Sequence, residues 1–349
     1  MKSSLETKKI NYATSVQAPL HVFICVLVTA VCGYPVFAQS ISYPDAAQSD
    51  PRTIGWMVGF PPPADKLIML PESNFFSFPK LRWSVCHIRQ LLPTKQISRG
   101  IGAPVALKYA LDDGIDTVTF TPLGGGEPMT WRQSLAHNYT DGILIIHQGR
   151  VVYERYFGAL TQTGKHAAMS MTKSLTGLMA EILVVEGTLD ETARVATIIP
   201  ELAQSAFGSA TVRQVMDMTT ALDFSEDYGD PEADIWAYSR AASPLPKQPG
   251  YDGPDGYFEF LQTVGQDGIH GQAFGYRTVN SDALGWIVSR VTGTDLTTLA
   301  FRAHMETKVG AEIGWVHDCR RHRHPVCRWR AQWWIAGPGA HRPAHAERR

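Results

Sequence analysis

Apolar and polar positions along the chain change their period several times, and each change predicts an element. Gly142-Ile-Leu-Ile-Ile-His147 and Val151-Val-Tyr-Glu-Arg-Tyr-Phe157 are runs rich in β-branched and aromatic residues, the composition of strands. Gln148-Gly149-Arg150 between them supplies a turn, so the pair predicts a β-hairpin. Leu175, Leu178, Met179, Ile182 and Leu183 then recur at helical spacing, and Gly187 is a helix stop. Thr211 caps a short predicted helix running to Met218, with Val212, Val215 and Met216 inward. A further helix begins near Asn280 and runs through Leu284, Trp286, Ile287 and Val291 to Gly293. Between the last two, residues 223–256 are rich in Asp, Pro, Gly and Tyr; so long an irregular stretch inside a compact domain is usually functional. Ahead of the hairpin, Gly55-Trp56-Met57-Val58-Gly59-Phe60-Pro61-Pro62-Pro63, Phe75-Phe76 and Trp83 crowd one segment. That many large apolar residues predict an ordered extension packed on the core, not a flexible linker.

Composition narrows the classes. With 349 residues, 44% of them hydrophobic, the chain can bury one large core or two modest ones. The net charge of -1 points to no nucleic-acid partner. Gly124-Gly125-Gly126 is a loop and not a phosphate cradle, because no Gly-Lys-Ser/Thr follows it. The body of the chain has no His/Cys/Asp/Glu cluster at metal-ligand spacing, so no metal or other cofactor is expected. At the N-terminus, Lys8 and Lys9 precede an apolar run from Val22 to Ala30, and Val36-Phe37-Ala38 is a small-x-small cleavage site. This predicts a signal peptide over residues 1–38 and an exported, periplasmic or secreted protein. The apolar run is interrupted by Gly33 and Pro35 and is short for a bilayer span; no stable membrane span is expected after cleavage. Of the five cysteines, Cys25 and Cys32 would leave with the signal, Cys319 and Cys327 lie near the C-terminus, and Cys86 remains. No disulfide framework is implied.

The candidate chemistry lies at Ser170-Met171-Thr172-Lys173. A serine hydroxyl is a poor nucleophile until a neighbour takes its proton. A lysine three residues on, one helical turn away, shares its face and can be that neighbour. Spacing alone is weak evidence, since about one chance Ser-x-x-Lys is expected in a chain of this length at average composition. Its place strengthens it: hairpin, loop, serine at a helix start, then an apolar helix. A helix N-terminus favours negative charge near Ser170 and disfavours a protonated Lys173.

Three segments together resemble the serine β-lactamase and D-alanyl-D-alanine carboxypeptidase superfamily, and more closely its 6-aminohexanoate-dimer (nylon oligomer) hydrolase branch. They are Ser170-Met-Thr-Lys173, Glu226-Asp227-Tyr228-Gly229-Asp230-Pro231, and the run from Phe274-Gly275-Tyr276-Arg277-Thr278-Val279-Asn280 to Gly293. Much of the superfamily has Tyr-x-Asn at the third segment. Tyr276-x-x-x-Asn280 matches the nylon oligomer branch better. The resemblance covers roughly residues 50 to 312. It implies Ser170 as the acylated nucleophile and Lys173 as its proton acceptor or the holder of the network that accepts it. Tyr276 is implied as general base and then acid toward the leaving amine, Tyr228 as a residue closing over the bound amide, and Asn280 as a substrate-side residue supporting Tyr276. A phenol titrates near ~10, so Tyr276 works as a base only beside a cation, and Lys173 would be that cation.

The implied fold is α/β plus all-α: a mostly antiparallel sheet flanked by helices, formed by the two chain ends, with a helical subdomain from the middle. The implied organisation is a signal peptide at 1–38, an extension at 39–135 packing on the core, a hydrolase domain at 136–313 and an aberrant tail at 314–349. That tail holds eight Arg, no Lys, five of the 12 His and four of the nine Trp, and no hydrophobic period. A basic surface tail or a His/Cys metal cluster explains part of this, but not the tryptophans. A shifted reading frame explains more. Trp has the single codon TGG, so Trp333-Trp334 read one base later gives Gly-Gly, inside what becomes a Gly-rich turn and an amphipathic helix close to the branch's own continuation. On that expectation the C-terminal strands, the third superfamily motif and one oxyanion donor are missing. The expected function is cleavage of a small-molecule amide or ester through a Ser170 acyl-enzyme, like 6-aminohexanoate-dimer hydrolase. The rivals are a peptidoglycan carboxypeptidase, a carboxylesterase, a β-lactamase and, from another class, an inactive remnant or binding module.

Overall fold

The computed structural model describes residues 43–70, 74–97, 103–243 and 247–300, with the backbone of two strands at 315–318 and 334–336. The signal sequence expected at 1–38, and Cys319, Cys327 and Trp333, lie outside the described residues, whereas Trp334, the second position re-read as glycine, falls in a described strand. The chain divides into two units, Met1–Tyr43 and Pro44–Arg349. All elements below belong to the second.

The helices, in chain order, are α1 (Pro51–Ile54), α2 (Leu81–Leu91), α3 (Trp131–His137), α4 (Met171–Val185), α5 (Val195–Ile198), α6 (Val212–Met216), α7 (Asp234–Ala241), α8 (Tyr257–Leu261), α9 (Thr278–Thr292) and α10 (Leu296–Ala300). The strands are β1 (Thr94–Ile97), β2 (Lys108–Tyr109), β3 (Thr119–Phe120), β4 (Met129–Thr130), β5 (Gly142–His147), β6 (Arg150–Tyr156), β7 (Lys165–Ala167), β8 (Leu222–Asp223), β9 (Gly265–Gln266), β10 (Trp315–Asp318) and β11 (Trp334–Ala336).

The predicted hairpin forms as β5 and β6, antiparallel, with β2 added parallel to β6. Gln148 and Gly149 both have positive φ, 49° and 72°, the backbone that a two-residue hairpin turn requires. The expected single sheet is resolved among the described residues as this three-stranded sheet and four two-stranded ladders, each antiparallel. The tail departs from expectation. β10 pairs with β1, and β11 pairs with β7, so two tail segments without a hydrophobic period still form strands. Trp, Val and Ile at these positions favour extended backbone, and the edges of β1 and β7 supply the partners.

The main core is helical. It is built from α4 to α10 with Ile97 and Ala168. Thr278 to Val288 are nearly all buried, so α9 is enclosed on every side and runs through the middle of this layer. Met179, Ala180 and Leu183 of α4 face inward, but Leu178, expected there too, is 47% exposed. The apolar arc of α4 is wider than the stripe its neighbours cover. Met171, Leu178 and Val185 form its outer edge. The capped helix predicted at Thr211 is present as α6, with a reciprocal Thr211–Gln214 capping box. Residues 223–256 are not wholly irregular: α7 lies within them and buries Ile235, Tyr238 and Ala241. A second, smaller core joins the Pro-rich segment to α2 and Ala167 of β7, around Ile68, Trp83, Val85, Ile88 and Leu91. Cys86 packs beside it, and burial pushes its thiol up to about 12. A thiol held so far above neutral pH is a poor nucleophile.

Candidate active site

Ser170 is the exposed residue on which α4 starts. The turn that presents it is strained: Met169, just before it, has φ 46°, a conformation costing a non-glycine residue on the order of 1–3 kcal/mol. That kink lets β7 run toward the site and then turn into the helix within three residues. Met171 N–H donates to Ala168 and Thr172 N–H to Met169, which closes the turn. The Ser170 N–H donates to no described residue, so it is available as one oxyanion donor at the positive end of a fifteen-residue helix.

Lys173 donates from Nζ to Ser170 Oγ at 3.0 Å. The same Nζ lies 5.4 Å from the ring centroid of Tyr276. No described carboxylate ion-pairs with Lys173, so its head group is directed at the serine and the aromatic face alone. The structure thus brings together Ser170, Lys173 and Tyr276. It does so with Lys173 against the Tyr276 ring face. Tyr276 is 41% exposed and stands on the extended approach to α9, with Gly275 N–H donating to the Met218 carbonyl at 2.9 Å.

Tyr228 is 61% exposed in the loop before α7. Its hydroxyl donates to Glu226 Oε1 at 2.9 Å, and its ring meets Trp236 edge-on at 5.9 Å. Asn280 is fully buried in α9, and its Oδ1 accepts from Thr220 Oγ1 at 2.6 Å. Its Nδ2 has no partner among the described residues. The side chain therefore sits in the core beside Thr220 and makes no described contact with Tyr276.

Two groups that sequence reasoning left without a role sit close by. Glu226 accepts from Thr278 N–H at 2.6 Å and from Thr278 Oγ1 at 2.5 Å. Behind the turn at Met169, His166 of β7 points Nε2 at Asp141 Oδ2, 3.2 Å away, and Nδ1 at the Ala167 carbonyl, 2.8 Å away. Asp141 in turn accepts from buried Arg82 at 3.2 Å. Both ring nitrogens of His166 face acceptors, which only an imidazolium satisfies. Burial works against that charge, but Asp141 and the Ala167 carbonyl outweigh it, and the histidine titrates above its ordinary value. A cavity of about 490 Å³ opens here, walled by Asp141, Ile143, Leu160, His166 and Met171. It backs onto the turn at Ala168 and Met171, and neither Ser170 nor Lys173 lines it. No local pattern marks these pairings, because Glu226–Thr278 and Asp141–His166 span 52 and 25 residues.

A neighbouring serine–histidine pair has a different character. His270 Nδ1 accepts from Ala221 N–H at 2.9 Å, which leaves Nε2 to meet Ser209 Oγ at 3.0 Å as the protonated nitrogen of a neutral ring. Burial, assisted by Arg194, holds this histidine below its ordinary value. A nitrogen that already carries the proton cannot take one from Ser209, so the pair fastens the loop.

The Beta-lactamase family profile matches residues 132–309, from the helix before the hairpin to beyond α10. A 6-aminohexanoate-dimer hydrolase of Paenarthrobacter ureafaciens is 31% identical over 251 residues, which is 72% of this chain and 56% of that protein. The chain therefore spans little more than half the length of this curated relative. Among solved structures, a Bacillus anthracis protein provisionally named a 6-aminohexanoate-dimer hydrolase superposes with a TM-score of 0.69 at 24% identity, over 79% of this chain and 70% of that one. The fold built above is thus the β-lactamase/transpeptidase-like one, and the chain belongs to the Beta-lactamase family, as a relative of 6-aminohexanoate-dimer hydrolase.

Proposed function

We propose that this protein is an exported serine hydrolase that cleaves a small amide or ester through an acyl-enzyme on Ser170. The observation that carries the reading is the 3.0 Å contact from Lys173 Nζ to Ser170 Oγ, with Tyr276 over the same lysine. Lys173 takes the Ser170 proton as Oγ attacks the carbonyl carbon, and the carbonyl oxygen becomes an oxyanion facing the Ser170 N–H. The intermediate collapses as the leaving amine or alcohol departs with a proton delivered by the Tyr276 hydroxyl. Water, deprotonated by the same groups, then attacks the acyl carbon and releases Ser170. Splitting one hard displacement into two easier ones is what a covalent nucleophile contributes. For Tyr276 to serve in this way its hydroxyl must reach Oγ when substrate fills the site; such contacts are often loose before binding. The 6-aminohexanoate dimer is the specific substrate we favour, on the likeness to a relative of that name.

The test is turnover of a nitrophenyl ester and of the linear 6-aminohexanoate dimer by wild type and Ser170→Ala. Ser170→Ala is expected to lose at least about 10³-fold in kcat, as loss of a nucleophile does elsewhere. Labelling by a serine-reactive probe that survives Ser170→Ala would sink the nucleophile assignment. Folded wild-type protein that no such probe labels would point to a binding module. Sequencing the N-terminus of exported protein checks cleavage near Ala38.

A further inference from the structure

We infer that Glu226 is a positioning residue that holds Tyr276 against Lys173. The inference rests on the proposed role of Tyr276 but has a readout of its own.

The N-terminus of α9 lacks a local cap. Its cap residue, Arg277, is extended and offers no side-chain hydrogen bond. The first N–H groups of a helix need an acceptor, and buried ones need it most. Thr278 is 3% exposed, and the acceptor it finds comes from 52 residues away. Glu226 Oε2 takes the Thr278 N–H at 2.6 Å and Oε1 takes the Thr278 hydroxyl at 2.5 Å. A carboxylate at the positive end of a fifteen-residue helix is also favoured by the helix dipole.

Tyr276 lies two residues before this anchor. On its other side, Gly275 N–H is tied to the Met218 carbonyl at 2.9 Å. The tyrosine is therefore slung between two fixed points, one of which is a side chain of the Tyr228 loop. That loop is itself braced: Ser225 N–H donates to Asp234 at 2.7 Å, and Ile235 N–H to the Ser225 carbonyl at 3.0 Å. The third hydrogen bond to Glu226 comes from the Tyr228 hydroxyl at 2.9 Å. One carboxylate thus binds both tyrosines of the site into a single unit. Glu226 itself makes no described contact with Ser170 or Lys173, so it acts through Tyr276.

The test combines kinetics and fluorine NMR on the full chain. Glu226→Ala is expected to lower kcat for the nitrophenyl ester by about 10–100-fold, the scale of an ångström-level misplacement. Glu226→Gln can still accept from Thr278 N–H and donate to both hydroxyls, so it should restore most of the rate. In a Tyr276→Phe background, Glu226→Ala should cost little more, because coupled residues are not additive. A 3-fluorotyrosine at position 276 should shift its resonance in Glu226→Ala and hold it in Glu232→Gln, an exposed control on the same loop. Thr278→Val, which removes one of the three hydrogen bonds and keeps the backbone cap, should move rate and resonance the same way by less, and stands in if the Ala variant does not fold. An equal loss in both backgrounds, or an unmoved resonance, overturns the inference. If Tyr276→Phe alone leaves turnover intact, the proposed role of Tyr276 fails, and the resonance still decides whether Glu226 positions it.

Discussion

Asn280 shows how a residue can be legible by pattern and still have its environment hidden. Tyr276-x-x-x-Asn280 marks a site segment, and the expected role was on the substrate side. In the fold, Asn280 is fully buried, and its Oδ1 is held by Thr220, 60 residues earlier. Thr220→Val would strip that partner and leave a buried amide with both polar ends unsatisfied. The expected cost is about 1–3 kcal/mol, read as a lower urea midpoint, with KM for the ester unchanged. A raised KM at unchanged stability would instead return Asn280 to the substrate. Ser170 and Lys173 were readable because a single helical turn joins them, so their contact is local. Tyr276 was readable only through the family pattern, and Glu226 had no readable role, because its partner lies across the molecule.

At the scale of elements, α4 and α9 make the sharpest comparison. Both were predicted from apolar spacing, and both form. Spacing alone did not fix which way α4 is rotated. Leu178 and Leu183 look equivalent in sequence, yet Leu183 is 5% exposed and Leu178 47%. Leu183→Ala should cost about 2–5 kcal/mol, the usual range for a buried leucine. Leu178→Ala should stay within about 0.5 kcal/mol, as surface changes do. Urea denaturation of the two variants side by side checks the rotation, and equal losses would contradict it. The hairpin was legible because two β-rich runs flank a turn with a glycine. α7 was not, because its buried triplet Ile235, Tyr238 and Ala241 sits in a stretch crowded with Asp, Pro and Gly. β10 and β11 were not either, since their pairing is set by the edges they meet and not by any period of their own.

Across the whole molecule, the Arg82–Asp141–His166 cluster ties together segments far apart in sequence. Arg82 of α2 donates to the Ala46 carbonyl at 2.7 Å and to Ser49 Oγ at 3.0 Å, and its Nη2 reaches Asp141. Asp141 leads into β5, and His166 lies on β7, four residues before Ser170. One carboxylate therefore joins the extension, the hairpin and the approach to Ser170. The charge on His166 makes this tie depend on pH. Its folded value is raised: burial opposes the charge, while Asp141 and the Ala167 carbonyl more than offset it. A group raised on folding stabilises fully below its unfolded value, near ~6.5 for histidine, and that stabilisation is lost as pH rises through the folded value. His270 works with the opposite sign, because burial lowers it, and its contribution is lost as pH falls. The pH profile of the wild type is the sum of the two, so the informative quantity is a difference. Subtracting the urea midpoints of His166→Gln from those of wild type cancels His270. That difference should be largest at pH 5.5 and shrink steadily above about 6.5. A difference that stays constant from pH 5.5 to 8.5 would mean that His166 holds its two acceptors without a titrating charge. β7 leads within three residues through the Met169 turn to Ser170, so the same titration should loosen the support of Ser170, and the ratio of wild-type to His166→Gln ester turnover should fall over that window.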